Sequence, residues 1–287
     1  MKKSIISLLL FLITTSSNSF ALSLTWYGTS CFYLTDGKDA ILFDPFFTRA
    51  SKMDLVLFKE LKADQKLVEK WLPIEKRKKI KAMFVSHTHY DHILDIGPVH
   101  SGTESKIYGS FSTLKISKAN GINNKFLVRT TAGQIINVGG FEIEILSGKH
   151  APHFFNFTLA TGKVSKDFTY PASAIAYKMD EIYTYLIRYK GKVIYFNAST
   201  GPTLKKETKV DIMIQGLTFK SLYGELIEKQ IKPYSPKIII PSHHDDFFRP
   251  LSENYIMRDT ADINYFKKNI PKDIKFIDLE FGKTIEI

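Results

Sequence analysis

The stretch Ser86-His87-Thr88-His89-Tyr90-Asp91-His92 places three histidines and one aspartate within six positions. It follows the apolar run Ala82–Val85, which is typical of a buried strand. Alternate side chains of an extended segment point to the same side, so we expect the first two histidines to face one point. A tight turn after them would bring the aspartate and the last histidine to a second point nearby. The stretch therefore predicts parts of two metal sites, neither of which is complete.

The missing ligands are expected from other strand ends. His150 follows the apolar segment Phe141–Leu146, and His243 follows Ile238–Ile240. Loops at the carboxyl ends of strands gather at one edge of a sheet, where binding sites form. Imidazole and carboxylate ligands suit zinc, and iron or manganese are the alternatives.

The other histidines are considered as alternatives to His150 and His243. His153 is an alternative ligand to His150, and His244 is an alternative to His243 or a group that contacts it. His100 has no comparable strand before it and is interpreted as structural. Asp245, two residues after His243, is predicted to orient that imidazole, with an exposed surface position as the alternative.

Apolar runs and helical spacing outline the rest of the chain. Asp36-Gly37 between apolar runs predicts a hairpin, and the single Cys31 is predicted to be buried. Helices are expected at 55–72, 111–119, 217–231 and 253–268, the last ending before Pro271. Strands grouped in meanders, with helices in groups, favour stacked sheets with outer helices.

With these segments in view, the chain resembles the metallo-β-lactamase superfamily, in a little-characterised exported branch of metallo-hydrolases. Beside the histidine stretch, the resemblance rests on Leu24–Gly28 with Ile41–Pro45, Ser147–His150, Val193–Gly201 and Pro241–His243. It implies an α/β fold, the four-layer αββα sandwich, with a dinuclear zinc site along one edge. One metal would take His87, His89 and His150, and the other would take Asp91, His92 and His243.

The chain departs from the family pattern at Ser199. Many relatives have a metal-bridging aspartate there, and serine is a poor bridging ligand for zinc. The second site would lose a charge and bind its metal more weakly. Two zinc ions are expected, with one as the alternative.

The implied activity is hydrolysis by a zinc-bound hydroxide that forms near neutral pH. Asp91 would hold the second metal and orient the nucleophile, so it is also the predicted catalytic residue. We expect an ester, lactone or amide substrate. A phosphodiesterase or phospholipase-like enzyme is the alternative, and a non-catalytic, metal-stabilised binding protein is the third class.

The first residues predict export. Lys2 and Lys3 precede an apolar run that is too short to span a membrane, and the small residues Ser19 and Ala21 stand at positions −3 and −1 of a cleavage site. We therefore expect a signal peptide at 1–21 and one hydrolase domain at 22–287. The mature protein should have no transmembrane segment and should be periplasmic or secreted.

The expected partner is a small molecule. The chain carries a formal charge of +11, but lysine supplies most of it, and planar recognition of phosphate favours arginine. The charge is interpreted as a matter of composition, with an anionic substrate or a membrane surface as the alternative. Together with export, this argues against nucleic acid. Aromatic residues at 153–157, with Phe46, Phe47 and Met53, predict an apolar pocket for an acyl or aryl group, with packing of their own core as the alternative. The oligomeric state is not indicated.

Overall fold

The computed structural model describes residues 21–152, 157–201, 208–252 and 254–287. The strands are β1 Ser23–Trp26, β2 Phe32–Thr35, β3 Ala40–Phe43, β4 Glu60–Leu61, β5 Ile80–Phe84, β6 Lys106–Gly109, β7 Leu127–Arg129, β8 Ile135–Val138, β9 Phe141–Ser147, β10 Ala172–Ser173, β11 Tyr183–Tyr189, β12 Lys192–Asn197, β13 Ile212–Gly216, β14 Ile238–Ser242, β15 Lys275–Phe276 and β16 Thr284–Glu286. The α-helices are α1 Lys52–Val56, α2 Gln65–Trp71, α3 Ile74–Arg77, α4 Tyr90–Ile93, α5 Ile96–His100, α6 Phe111–Ala119, α7 Tyr223–Leu226, α8 Lys232–Tyr234 and α9 Ile263–Asn269.

Within these ranges most strands form two seven-stranded sheets. The first has the order β16-β1-β2-β3-β5-β6-β7, and the second has the order β15-β14-β13-β12-β11-β9-β8. Strands β3, β5, β6 and β7 run parallel, as do β12, β13, β14 and β15. Strand β9 is antiparallel to β11, which is antiparallel to β12, so β9 and β12 share a direction. The ends of β9, β12 and β14 therefore lie at one edge of the second sheet.

The two sheets pack face to face through aromatic side chains. Phe43 of the first sheet stacks on Phe196 of the second, with ring centroids 4.6 Å apart. Phe84 of the first sheet meets Tyr185 of the second edge to face, with ring centroids 5.5 Å apart. On the outer face of the second sheet, a separate apolar core joins its strands to α7 and α9. The αββα sandwich is thus confirmed.

Local signals account for several elements. The Asp36-Gly37 turn joins β2 to β3 as predicted, and α6 spans the predicted residues. Cys31 is buried, and burial raises the pKa of its thiol, so it is an unreactive core residue.

The predicted helix 55–72 is wrong. Phe58 adopts a left-handed backbone conformation that ends the first turn of helix, and β4 follows. Asp64 then caps the backbone of a new helix, α2. The apolar spacing arose because Leu61, Val68 and Leu72 are all buried, although they belong to different elements.

The predicted helix 253–268 is also too long. Its helix begins at Ile263, where the Asp262 side chain caps it by accepting from the Tyr265 amide. Met257, within the predicted helix, forms a β-bridge with Asp245 instead. The described residues contain no helix with the length and apolarity that a bilayer crossing needs. The predicted signal peptide falls outside them up to residue 20.

Candidate metal centre

Six predicted ligands converge between the two sheets. His87 lies just beyond β5, His89 precedes α4, and His150 lies beyond β9. Their ligand atoms lie within 4.8 Å of one another, and these three residues are called the first trio. Asp91, His92 and His243 meet the same criterion and are called the second trio. The two groups abut, because the rings of His87 and His92 lie 3.9 Å apart.

Asp44 fixes the second trio from behind. Its Oδ2 accepts hydrogen bonds from His92 Nδ1 at 2.7 Å and from Ser86 Oγ at 2.6 Å. Its Oδ1 accepts from the Ser86 backbone amide at 2.7 Å. The proton of His92 therefore sits on Nδ1, and the lone pair of Nε2 faces Asp91, 3.6 Å away. This is the carboxylate–histidine arrangement that orients metal-binding imidazoles.

In the first trio, one nitrogen of each imidazole ring also makes a hydrogen bond. Ser86 Oγ donates to Asp44, so it accepts from His87 Nδ1 at 3.1 Å. His89 donates from Nε2 to the Leu159 carbonyl at 3.0 Å, and His150 donates from Nδ1 to the Ala151 carbonyl. In the neutral form of each ring, the other nitrogen is therefore the one that can bind a metal.

One buried nitrogen atom tests whether a metal would fit. His87 Nε2 is buried without a hydrogen-bond partner in the described part of the chain. Buried polar atoms are rarely left unsatisfied, and a metal ion would satisfy an imidazole lone pair. The donor set fits zinc, and it also fits the iron and manganese alternatives.

The electrostatics favour the metal-binding protonation states of His87 and Asp91. Burial opposes the charged form of His92, but Asp91 and Asp44 outweigh it and raise the pKa of that imidazole, so a metal there would displace a proton. Burial and the neighbouring His92, His89 and His150 keep the pKa of His87 well below its usual value. Burial opposes the ionised form of Asp91, but His92 and His243 outweigh it and lower the pKa of that carboxyl below its usual range. Neutral imidazoles and a carboxylate are the forms that bind divalent metals.

Ser199 lies at the same edge and touches the first trio indirectly. It follows β12, and its Oγ accepts a hydrogen bond from the Ala151 amide at 3.0 Å. Asn197 Oδ1 accepts from the Ser199 amide at 3.2 Å. The serine therefore holds the loop that carries His150.

Asp245 and His244 lie away from the metal-facing atoms. Asp245 accepts from the Thr29 amide at 2.8 Å and pairs with Arg49 at 3.1 Å, with both side chains buried. The expected direct contact with His243 is not made among the described residues. Instead, the His243 amide donates to the Thr29 carbonyl at 2.8 Å, so Asp245 supports that turn through Thr29.

His244 stacks on Trp26 with ring centroids 4.9 Å apart, and its Nε2 lies 3.5 Å from Asp278. It therefore belongs to the core beneath the site. His100 also lies away from both trios, against Phe126 at 4.8 Å. His153 lies outside the described residues.

A cavity of about 550 Å³ opens over both trios. His87, His89, Asp91, His150, Ser199 and His243 lie on its wall with many apolar side chains. The apolar wall includes Leu55, Val56, Phe58, Leu159, Ala174, Ile175, Phe219, Phe247 and Phe248.

The predicted pocket residues differ from the observed ones. Phe46 and Phe47 are fully buried in the core, and Met53 is exposed but does not line the cavity. Phe157 is also exposed, whereas residues 153–156 lie outside the described part of the chain. Sequence reasoning missed Phe58, Ile175 and Arg258, because they come from segments that meet only in the folded chain.

The comparisons with known proteins agree with this geometry. Residues 39–218 match the model of the β-lactamase superfamily domain, so the chain belongs to the β-lactamase superfamily. The UPF0173 metal-dependent hydrolase of Thermodesulfovibrio yellowstonii is 26% identical over 100% of both chains. A UPF0173 metal-dependent hydrolase of Roseiflexus castenholzii is 22% identical, over 92% of this chain and 96% of its own.

A solved structure shares the fold. Igni18, a metallo hydrolase from the archaeon Ignicoccus hospitalis, superposes with a TM-score of 0.55 at 16% identity. The match covers 92% of this chain and 97% of Igni18.

Proposed function

We propose that this chain, a metal-dependent hydrolase of the β-lactamase superfamily, uses zinc to cleave an ester, lactone or amide that carries an apolar group. One observation carries the proposal: six ligand-type side chains cluster in two trios, and five of them line a largely apolar cavity, while His92 lies buried behind it. The first trio would hold one ion, and the second trio would hold the other. When bound, such ions lower the pKa of a coordinated water and polarise the bond to be cleaved.

The protein's own groups prepare that chemistry. Asp91 contributes the negative charge of the second trio, close to His92 Nε2 and to His243 Nε2, 3.3 Å away. Asp44 keeps His92 in the tautomer that presents Nε2. The apolar wall excludes water from the acyl or aryl group of the substrate, and this burial contributes binding free energy.

We expect two zinc ions of unequal affinity. Ser199 supplies a hydroxyl where a carboxylate would add charge, so the second trio would bind its ion more weakly. Zinc titration of residues 22–287 after chelation, followed by elemental analysis, should give two steps and about two ions per chain. About one ion would leave only the tighter site, and none in a folded protein would overturn the zinc proposal.

A substrate panel tests the reaction class. Esters, lactones, amides and phosphodiesters are incubated with the zinc-loaded protein, and the products are identified. A carboxylate product supports the proposal, whereas a phosphomonoester would favour the phosphodiesterase alternative. His89→Ala should abolish turnover. His100→Ala removes a buried imidazole far from both trios and should retain it.

A third outcome remains informative. If neither protein turns over any substrate, but zinc still raises the melting temperature of the wild type, the non-catalytic binding protein is favoured. In that case His89→Ala would change stability alone.

We also propose that the protein is exported, as its basic, apolar and small-residue leader suggests. Cell fractionation of the full chain and of a form lacking residues 2–21 tests this. The full chain should appear outside the cytoplasm and begin at Leu22. Retention of both forms in the cytoplasm would contradict the proposal.

A further inference from the structure

Arg258 places a positive charge in the cavity wall. Its guanidinium carbon lies 4.7 Å from the ring centre of Phe247, 5.3 Å from Phe248 and 5.8 Å from Phe219. Its Nε donates to Thr260 Oγ1 at 3.0 Å, and its backbone amide donates to the His244 carbonyl at 2.8 Å. The three rings and the two hydrogen bonds hold the side chain in one orientation.

The charge has no carboxylate of its own. The nearby acidic residues are already engaged, since Asp245 pairs with Arg49 and Asp246 pairs with Arg249 at 2.9 Å. Asp91 belongs to the second trio. Among the described residues, Arg258 forms no ion pair within 4 Å, and burial lowers the pKa of its guanidinium. An unpaired charge in an apolar wall costs stability, which is typical of a group reserved for a ligand.

Tyr90 supplies a second, independent observation. It lines the same cavity and is 8% exposed, and its hydroxyl is buried with no hydrogen-bond partner in the described ranges. Its ring meets Phe247 at 6.5 Å, so Phe247 touches both residues. A phenol hydroxyl is a hydrogen-bond donor that a ligand oxygen would satisfy.

We propose that Arg258 and Tyr90 form an anion subsite, so that the substrate is an amphiphile with both an apolar group and an anionic oxygen group. This rests on the proposed function, which it narrows to one substrate class. A carboxylate or a phosphate offers the required oxygens, and guanidinium recognises either of them with two parallel hydrogen bonds. The apolar group would extend along the wall formed by Val56, Phe58 and Ile175.

Binding without turnover tests the subsite. Dissociation constants of octanoate, octyl phosphate and octan-1-ol are measured by calorimetry on the protein as purified, at about pH 8, where free imidazoles are neutral. The wild type should prefer the anions to the alcohol. Arg258→Gln should reduce that preference about tenfold or more without changing the affinity for octan-1-ol.

Three further variants sharpen the result. Arg258→Lys should restore part of the preference, because it keeps the charge but not the planar fork. Tyr90→Phe should reduce the preference by a smaller factor. Arg129→Gln removes an arginine that pairs with Glu181 and does not line the cavity, and it should leave the preference unchanged.

The outcomes separate the two proposals. An unchanged anion preference in Arg258→Gln, or none in the wild type, overturns the subsite even if esters are hydrolysed. An Arg258-dependent preference without hydrolysis of any panel substrate supports the subsite and overturns the hydrolase proposal. The anion whose affinity falls more in Arg258→Gln identifies the group as carboxylate or phosphate.

Discussion

Asp44 orients the metal ligand His92 without being a metal ligand itself. Three of its hydrogen bonds orient His92 and Ser86. In Asp44→Asn, an amide cannot accept on both sides, so His92 loses its fixed tautomer. We expect zinc affinity at the weaker site to fall about ten- to a hundredfold, measured by competition with a chromophoric chelator. Asp167→Asn alters an exposed carboxylate and should leave both steps of the zinc titration unchanged. Equal zinc titrations of Asp44→Asn and the wild type would contradict the role of Asp44 in orienting His92.

Asp95 gives a pH dependence of known sign. Burial raises the pKa of this carboxyl to about 6, despite hydrogen bonds from the Phe47 and Thr48 amides. An unfolded chain titrates near ~4, so between these values only the folded state holds the proton. The contribution of Asp95 to the free energy of unfolding is therefore full below about pH 4 and is lost as the pH rises through about 6.

Asp95→Asn removes this titration, and its amide oxygen can still accept the hydrogen bonds that the Phe47 and Thr48 amides donate to Asp95. Urea denaturation of both proteins from about pH 4 to 7 should show the wild type losing stability relative to the variant. Parallel curves would show that Asp95 titrates in the folded protein as it does in the unfolded chain.

At the scale of elements, α1 and the turn after it form part of the cavity mouth. No residue of α1 is buried, and Val56 and Phe58 are 69% and 65% exposed although they line the cavity. In the wild type, kcat/KM for 4-nitrophenyl esters should increase with the length of the acyl chain. In the double variant Val56→Ser, Phe58→Ser, this increase should be smaller. Each buried methylene is worth ~0.8 kcal/mol, or about fourfold.

Leu57→Ser is the matched control, because Leu57 is exposed but does not line the cavity. All of these variants should keep the wild-type melting temperature, since the side chains are already in water. If kcat/KM depended on acyl length equally in the double variant and the wild type, α1 and the turn after it would not contact the acyl chain of the substrate.

The ligand-bearing segments could be predicted because each follows a short apolar strand, and that local pattern places His87, His150 and His243 at sheet edges. The helix boundaries failed where a single backbone conformation, as at Phe58, overrode the apolar spacing. The cavity wall could not be predicted, because burial of Phe46 and exposure of Ile175 depend on packing between distant segments. The partners of Asp245 could not be predicted for the same reason, since Arg49 and Thr29 lie far away in sequence.

At the scale of the molecule, the site joins the two sheets. In the first trio, His87 follows β5 of the first sheet and His150 follows β9 of the second, so a metal bound there would link both sheets. We expect zinc at a thousandfold excess over its Kd to add about 4 kcal/mol to the free energy of unfolding. The melting temperature should rise accordingly. Chelation should reverse the effect in calorimetry, and His87→Ala should reduce it. A melting temperature unaffected by zinc in the wild type would contradict the linkage.

The pairing of β1 with β16 also has a consequence for biosynthesis. Ser23 lies opposite Glu286, and Thr25 and Thr284 share a hydrogen bond at 2.7 Å. Ribosomes add about 5–20 residues per second, so β1 waits many seconds for its neighbour. During that time its outer backbone groups are an open template for other chains. The first sheet is therefore complete only after β16 has been made, and a chaperone that shields β1 would act on the nascent polypeptide until then.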